Sequence, residues 1–285
     1  MRIAIGIDWS DQAFTAVTQT FHVYHPTDVT LVHGVNLGFF EQPLLAEMTN
    51  LQGYDDFRNA MVDAGRQLLE RAAAMVPPDA GTVRKVNEIG SPAQIILDSA
   101  QTVAADLVVV GARGRSRVAE TVLGSVSHRV LSHASRPTLI VKGPARPIKR
   151  VLVAIEGHDD ADRITQWLTR HQFATPVELC VLNAVVPVGL DSPYDALGAR
   201  AWWEGAESYA EEFVKATAAK LLDSRYTVST KVAVGNPAAM VGEQAQDMDL
   251  VVVASHGRKG IDRFLLGSVS HAIVHQVTCP ILVIR

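Results

Sequence analysis

The chain has 285 residues, of which 48% are apolar and 20% charged, and its formal net charge is -4. This composition predicts a sizeable core and excludes a disordered chain. The slightly acidic balance and the absence of long basic runs argue against a broad nucleic-acid-binding surface. We expect a cytoplasmic protein without a membrane partner, since the N-terminal segment differs from a signal peptide and the apolar runs are too short for a membrane helix.

The first half alternates short β-branched runs with longer helical stretches. The predicted strands are 2–8, 28–35, 83–89, 106–111 and 137–142, and the predicted helices are about 11–24, 55–76, 92–104 and 121–134. Helix starts are marked by Ser10 or Asp11 and by Pro92 behind Ser91. The runs "LVVVG" and "TLIV" do not alternate, which is typical of strands covered by helices on both faces. The pattern predicts an α/β, doubly wound parallel sheet.

The second half repeats the first in the same order. "RIAIGID" at 2–8 matches "RVLVAIE" at 150–156, and "VTLVHGVN" at 29–36 matches "VELCVLNA" at 177–184. "DLVVVGARGR" at 106–115 likewise matches "DLVVVASHGR" at 249–258. We therefore predict two tandem domains, 1–143 and 148–285, joined by a short Pro- and Gly-containing linker. Each half ends on an apolar strand, so we hypothesise that the two final strands pair and that the halves pack as a pseudo-twofold dimer.

A glycine loop follows the fourth strand of the first half. Gly111 lies at the end of "DLVVVG", Gly114 follows, and Gly124-Ser125 precedes the next helix. Glycines there are expected to allow a tight turn and the close approach of a ligand. A helix N-terminus offers free N–H groups, and phosphate is its usual ligand. The hydroxyls of Ser125 and Ser127 and the charges of Arg113, Arg115 and Arg117 support that interpretation.

Asp8 ends the first predicted strand at the same edge of the sheet. Its carboxylate suits the ribose hydroxyls or the base of a nucleotide whose phosphates bind the glycine loop. The alternative is a capping role for the helix that starts near Asp11.

These landmarks, together with "GIDWS", "GSPA" and "RPTLIV", resemble the universal stress protein family, and the resemblance covers both halves. The resemblance implies five parallel strands in the order 3-2-1-4-5, a regulatory role in the stress response, and ATP, with Mg²⁺, as ligand. Carried over to this sequence, adenine and ribose contacts fall near Asp8 and at Gly34 or Val35. The implied phosphate contacts are Gly111, Arg113, Gly114, Gly124, Ser125, Val126 and Ser127.

The second half departs from this pattern at two positions, since Ala254 replaces Gly111 and Glu156 replaces Asp8. The extra methyl and the longer acid are expected to weaken binding. His256 replaces Arg113, while Lys259 and Arg263 still offer positive charge. The motif positions that remain are Gly257, Gly267, Ser268, Val269 and Ser270. Nucleotide binding in the second half and a copy kept only for packing both remain open.

An enzymatic function is not expected, because the P-loop pattern G-x4-G-K-[ST] is absent. A phosphorylated receiver domain is excluded because Gly90 and Gly235 stand where it would need an aspartate. Cys180 and Cys279 lie in apolar runs and are expected to be buried thiols. His271 and His275 share a helix face without a nearby acid, so no metal site is predicted.

Three alternatives to nucleotide-dependent regulation remain from the sequence. They are a nucleotide-independent scaffold that acts through its surface, slow ATP hydrolysis, and nucleotidyl transfer on the same fold. The aromatic residues Phe39, Phe40, Trp202 and Trp203 after the second strands could cover the nucleotide, contact a protein partner or pack on their own domain. The stress signal, the protein partner and any homodimer beyond the intrachain pairing are not defined by the sequence.

Overall fold

The computed structural model describes residues 1–38, 53–114, 123–186, 195–222, 225–255 and 266–285, without the side chains of 195–203. The chain divides into two compact units, Met1–Ala145 and Arg146–Arg285. Each repeat in the sequence therefore corresponds to one compact unit of the structure.

The first unit contains nine described helices and strands that alternate along the chain. The strands are β1 (Arg2–Gly6), β2 (Asp28–Val35), β3 (Thr82–Ile89), β4 (Leu107–Gly111) and β5 (Thr138–Val141). The helices are α1 (Asp11–Val23), α2 (Tyr54–Ala73), α3 (Pro92–Thr102) and α4 (Ser125–His133). The elements agree with the sequence prediction with two exceptions. β1 ends at Gly6 and not at residue 8, and the last helix begins at Ser125 and not at residue 121.

The strands of the first unit lie in the order β3-β2-β1-β4-β5, as the family resemblance implied. All four described neighbour pairs are parallel. The chain moves from β1 outwards to β3 and then crosses to β4, so β1 and β4 are neighbours whose connections leave in opposite directions. Such a switch point opens a crevice at the carboxyl edge of the sheet. β4 is buried along its whole length, as its continuous apolar sequence predicts.

The second unit repeats this architecture. Its strands are β6 (Arg150–Ile155), β7 (Val177–Val185), β8 (Tyr226–Val234), β9 (Leu250–Ala254) and β10 (Ile281–Ile284). Its helices are α5 (His158–Arg170), α6 (Asp195–Leu221), α7 (Pro237–Gln244) and α8 (Ser268–Gln276), with a 3-10 turn at Ala245–Asp247. The strand order is β8-β7-β6-β9-β10, and the described pairs are again parallel.

The structure corrects one detail of the internal repeat. Arg2 pairs with Asp28, whereas its counterpart Arg150 pairs with Glu178. Residue 28 therefore corresponds to 178, and the matching of 29–36 with 177–184 was wrong by two positions. Equivalent side-chain hydrogen bonds support the corrected matching. In the first unit, His33 Nδ1 lies 2.8 Å from the carbonyl oxygen of Ile7. In the second unit Asn183 Nδ2 donates to the carbonyl of Ile155 at the same distance, 2.8 Å.

Cys180 and Cys279 are not joined in a disulfide. Cys279 is buried as expected, whereas Cys180 is only half-buried. Within the described parts of the chain, every helix is too short or too polar to cross a membrane.

Candidate functional site

A cavity of about 410 Å³ opens at the carboxyl edge of the first sheet, over the switch point between β1 and β4. Its walls come from the ends of β1, β2 and β4 and from the first turns of α3 and α4. Nine of the ten predicted site residues of this unit line it: Asp8, Gly34, Gly111, Arg113, Gly114, Gly124, Ser125, Val126 and Ser127. The tenth, Val35, is buried beside the cavity, and its carbonyl accepts a hydrogen bond from the Gly90 N–H at 3.0 Å.

Asp8 is held in place by the residue that starts α1. Ser10 is the N-cap, and its Oγ accepts from the Ala13 N–H at 3.3 Å. Asp8 Oδ1 in turn accepts from the Ser10 N–H at 2.9 Å and from the Ser10 hydroxyl. Asp8 therefore supports the capping residue without being the cap itself, and its contact with a ligand stays a prediction. This bonding uses Oδ1 and directs Oδ2 towards the glycine loop.

Gly111 has a different role from the one that the sequence suggested. Its φ lies outside the left-handed region, and a Cβ on it would lie 2.9 Å from the backbone carbonyl carbon and oxygen of Gln12. The first turn of α1 thus packs directly on the end of β4, and any side chain at residue 111 would push it away. The expectation that Gly111 provides a tight turn and access for a ligand was wrong.

Gly114 brings the loop against Asp8. A Cβ there would lie 2.7 Å from Asp8 Oδ2, and φ again lies outside the left-handed region. The absent side chain therefore lets the carboxylate and the loop backbone share one wall of the cavity. Arg113 lies beside them and contributes the cationic side chain. Arg115 and Arg117 fall outside the described residues.

The N-terminus of α4 faces the same cavity. Gly124 is its N-cap and has no side chain to cap the first N–H groups. The N–H of His128 donates to the Gly124 carbonyl. The N–H groups of Ser125, Val126 and Ser127 come before this bond, so the helix itself provides no acceptor for them. The hydroxyl of Ser127 donates to the carbonyl of Gly111 at 2.6 Å. It holds α4 against β4 and is not the additional phosphate donor that the sequence suggested, whereas Ser125 is exposed.

Sequence analysis missed His33 and Asn36, which also line the cavity. The bond from His33 to Ile7 ties β2 to the end of β1, directly below Asp8. A histidine inside the apolar run "TLVHGV" was the available signal, since a buried polar group needs a hydrogen-bond partner.

A second cavity, of about 350 Å³, lies at the corresponding edge of the second sheet. Of the residues predicted there, Glu156, Ala254, Val269 and Ser270 line it. Gly267 is the N-cap of α8 and Ser268 its first residue, but neither belongs to the lining. Gly257, together with His256, Lys259 and Arg263, falls outside the described residues. The side chains of Phe39, Phe40, Trp202 and Trp203 do so as well.

The universal stress protein family model matches residues 1–142 and again 147–285. The chain belongs to the universal stress protein family. A universal stress protein of Mycolicibacterium smegmatis is 28% identical over 99% of this chain and 96% of its own length. The structure of a universal stress protein from Archaeoglobus fulgidus covers 100% of this chain and 98% of its own, with 19% identity and a TM-score of 0.69. A smaller family structure from Arabidopsis thaliana, solved with AMP bound, covers 48% of this chain and 90% of its own, at 19% identity and a TM-score of 0.34.

Within the described residues of this universal stress protein, no three His, Cys, Asp or Glu side chains are grouped as a metal site would need. His271 and His275 do face each other on α8, with ring centroids 4.5 Å apart.

Proposed function

We propose that this tandem universal stress protein binds ATP in the cavity of its first domain and acts as a nucleotide-dependent regulator of the stress response. The observation that supports this most directly is the N-terminus of α4. Its uncapped N–H groups line a cavity that also contains Arg113. Aligned N–H groups and the positive end of the helix dipole favour phosphate.

The opposite wall supports the remainder of the nucleotide. Asp8 Oδ2 is directed to the loop, and Gly34 lines the cavity at the end of β2. A carboxylate accepts hydrogen bonds from ribose hydroxyls, and backbone groups at a strand end can recognise a base edge. The cavity volume of about 410 Å³ lies in the range of small-molecule sites.

Mg²⁺ would enter this site with the phosphates. The described residues offer Asp8 as a nearby carboxylate but no complete protein ligand set, and Mg²⁺ commonly keeps waters and phosphate oxygens as its ligands. We assign no catalytic residue, so occupancy of the site is the proposed signal. A cytoplasmic location belongs to the same proposal.

Ser125→Glu tests the proposal. The first position of a helix favours a carboxylate, so the variant should fold, but the added charge lies where the phosphates would bind. We expect the affinity for Mg·ATP, measured by isothermal titration calorimetry, to fall at least about tenfold, as the loss of charge-assisted hydrogen bonds implies. Ser268→Glu places the same charge at the start of α8 and is the matched control, with unchanged affinity.

A second variant, Gly114→Glu, changes the opposite wall of the cavity, because a side chain at residue 114 would displace Asp8. It should abolish binding while circular dichroism shows a folded chain. A folded Ser125→Glu or Gly114→Glu variant that keeps the wild-type affinity would refute the assignment of this cavity.

A further inference from the structure

The second cavity differs from the first by a set of substitutions that together change its chemistry. Three glycines of the first domain, Gly6, Gly34 and Gly111, line the first cavity. Their counterparts in the corrected register are Ala154, Ala184 and Ala254, and all three line the second cavity. The second domain therefore carries a methyl group at each of three positions where the first has none, and its lining is more aliphatic.

The surrounding side chains adjust to these methyl groups. A Cβ on Gly6 would lie 2.6 Å from Cδ1 of Ile96. The residue that corresponds to Ile96 is Val241, which has no such atom and lines the second cavity beside Ala154. The larger residue at 154 is thus matched by a smaller one at 241, which indicates that this wall is packed as an aliphatic surface.

The mouth of the second cavity is also apolar. Asn36 of the first cavity corresponds to Val186, whose side chain is 56% exposed at the rim. Exposed aliphatic side chains at a cavity mouth lose contact with water when an apolar ligand enters.

The charged groups among the described residues that line the second cavity are acidic. Its ionisable lining residues in the described chain are two acids, Glu156 and the buried Asp160, with no lysine or arginine among them. The hydroxyl of Ser270 is used internally, since it donates to the Ala254 carbonyl at 2.7 Å. Negative charge beside a cavity disfavours an anionic ligand relative to a neutral ligand of the same shape.

We propose that the second domain holds a binding site for a neutral, compact and largely apolar small molecule, and not a second nucleotide. The site would give one chain two different ligands, a nucleotide in the first domain and an apolar effector in the second. This inference stands on the second cavity alone and does not require the first to bind ATP.

The test uses two dyes with the same aromatic body and the full chain. N-phenyl-1-naphthylamine is neutral, and 8-anilino-1-naphthalenesulfonate carries a sulfonate. With dye at about 2 µM and protein raised to about 200 µM, we expect saturable fluorescence of the neutral dye with a dissociation constant of roughly 10–100 µM. The anionic dye should bind at least about tenfold more weakly because of the two carboxylates.

Two matched variants locate the dye. Val269 and Val126 hold corresponding positions in the first turns of α8 and α4, and each lines its own cavity. Val269→Trp should remove neutral-dye binding, and Val126→Trp should leave it unchanged. If Val269→Trp does not fold, Val186→Asp at the exposed rim replaces it and should weaken the neutral dye at least about tenfold.

The proposal fails if the neutral dye does not saturate, if Val126→Trp removes it and Val269→Trp does not, or if the anionic dye binds as tightly. It also fails if the Val126→Trp protein still binds Mg·ATP and the additional substitution Val269→Trp abolishes that binding. None of these outcomes depends on Ser125→Glu, so failure here is distinct from failure of the nucleotide assignment.

Discussion

At the scale of single residues, the glycines of the loop illustrate how one residue type serves unrelated needs. Gly111 allows α1 to contact β4, whereas Gly114 allows Asp8 to contact the loop. Both positions were predicted from the sequence, but their reasons were not. The close neighbour of Gly111 is Gln12, about a hundred residues earlier in the chain, and only the folded sheet brings the two together.

Gly111→Ala separates these roles. The methyl group would overlap the Gln12 backbone, which cannot rotate away, so we expect the free energy of unfolding to fall by about 1–3 kcal/mol. The affinity for ATP should change less than about threefold, since the methyl does not point at the ligand. Urea unfolding measures the free energy of unfolding, and calorimetry measures the affinity for ATP.

The control is Gly205→Ala in α6, where a Cβ has open space around it. It should raise stability by about 0.5–1 kcal/mol, as expected for alanine in a helix interior. A Gly111→Ala protein that keeps its stability but loses ATP would restore the ligand-access interpretation.

At the scale of elements, the two domains start their first helices differently. α1 is capped by Ser10, whereas α5 follows Gly157 and is capped by Asp160 from its own first turn. Asp160 Oδ2 accepts from the Glu156 N–H at 2.6 Å and Oδ1 from the Gly157 N–H at 2.7 Å. Burial raises the pKa of Asp160 above 3.8, although these backbone hydrogen bonds act in the opposite direction.

The raised pKa predicts a pH dependence. Between 3.8 and the higher pKa of the folded state, the folded chain binds more protons at Asp160 than the unfolded chain. Stability due to this group is therefore present below 3.8 and lost as the pH rises through the folded-state pKa. The side chain of Asp160→Asn does not titrate. As the pH rises, the free energy of unfolding of the wild type should fall relative to this variant by about 1.4 kcal/mol for each unit of pKa shift.

Urea midpoints of both proteins from about pH 4 to about pH 7 give this difference, and most of the change should fall at the acidic end. A wild type that gains stability relative to Asp160→Asn with rising pH would mean that the hydrogen bonds outweigh burial.

At the scale of the whole molecule, the sequence predicted most of the fold because repeats, buried runs and helix starts are local signals. The order of strands and the fold of two family domains were confirmed. The matching of β2 with β7 failed by two residues, and the reason is geometric. A shift by two keeps every side chain on the same sheet face, so the apolar pattern cannot detect it. Only the backbone pairing of Arg2 and Arg150 fixes the register.

The two proposals together predict that ATP acts on one half of the chain. A ligand that binds only the folded first domain stabilises it by about 2.7 kcal/mol at a hundred times its dissociation constant. Hydrogen exchange should therefore slow in peptides that contain Gly111 and α4, at residues 107–114 and 123–133. The corresponding peptides at 250–255 and 266–276 serve as the internal control and should exchange as in the free protein. Equal protection of both sets would show that the second cavity also holds nucleotide, whereas protection of the first set that Ser125→Glu removes would place the nucleotide in the first domain alone.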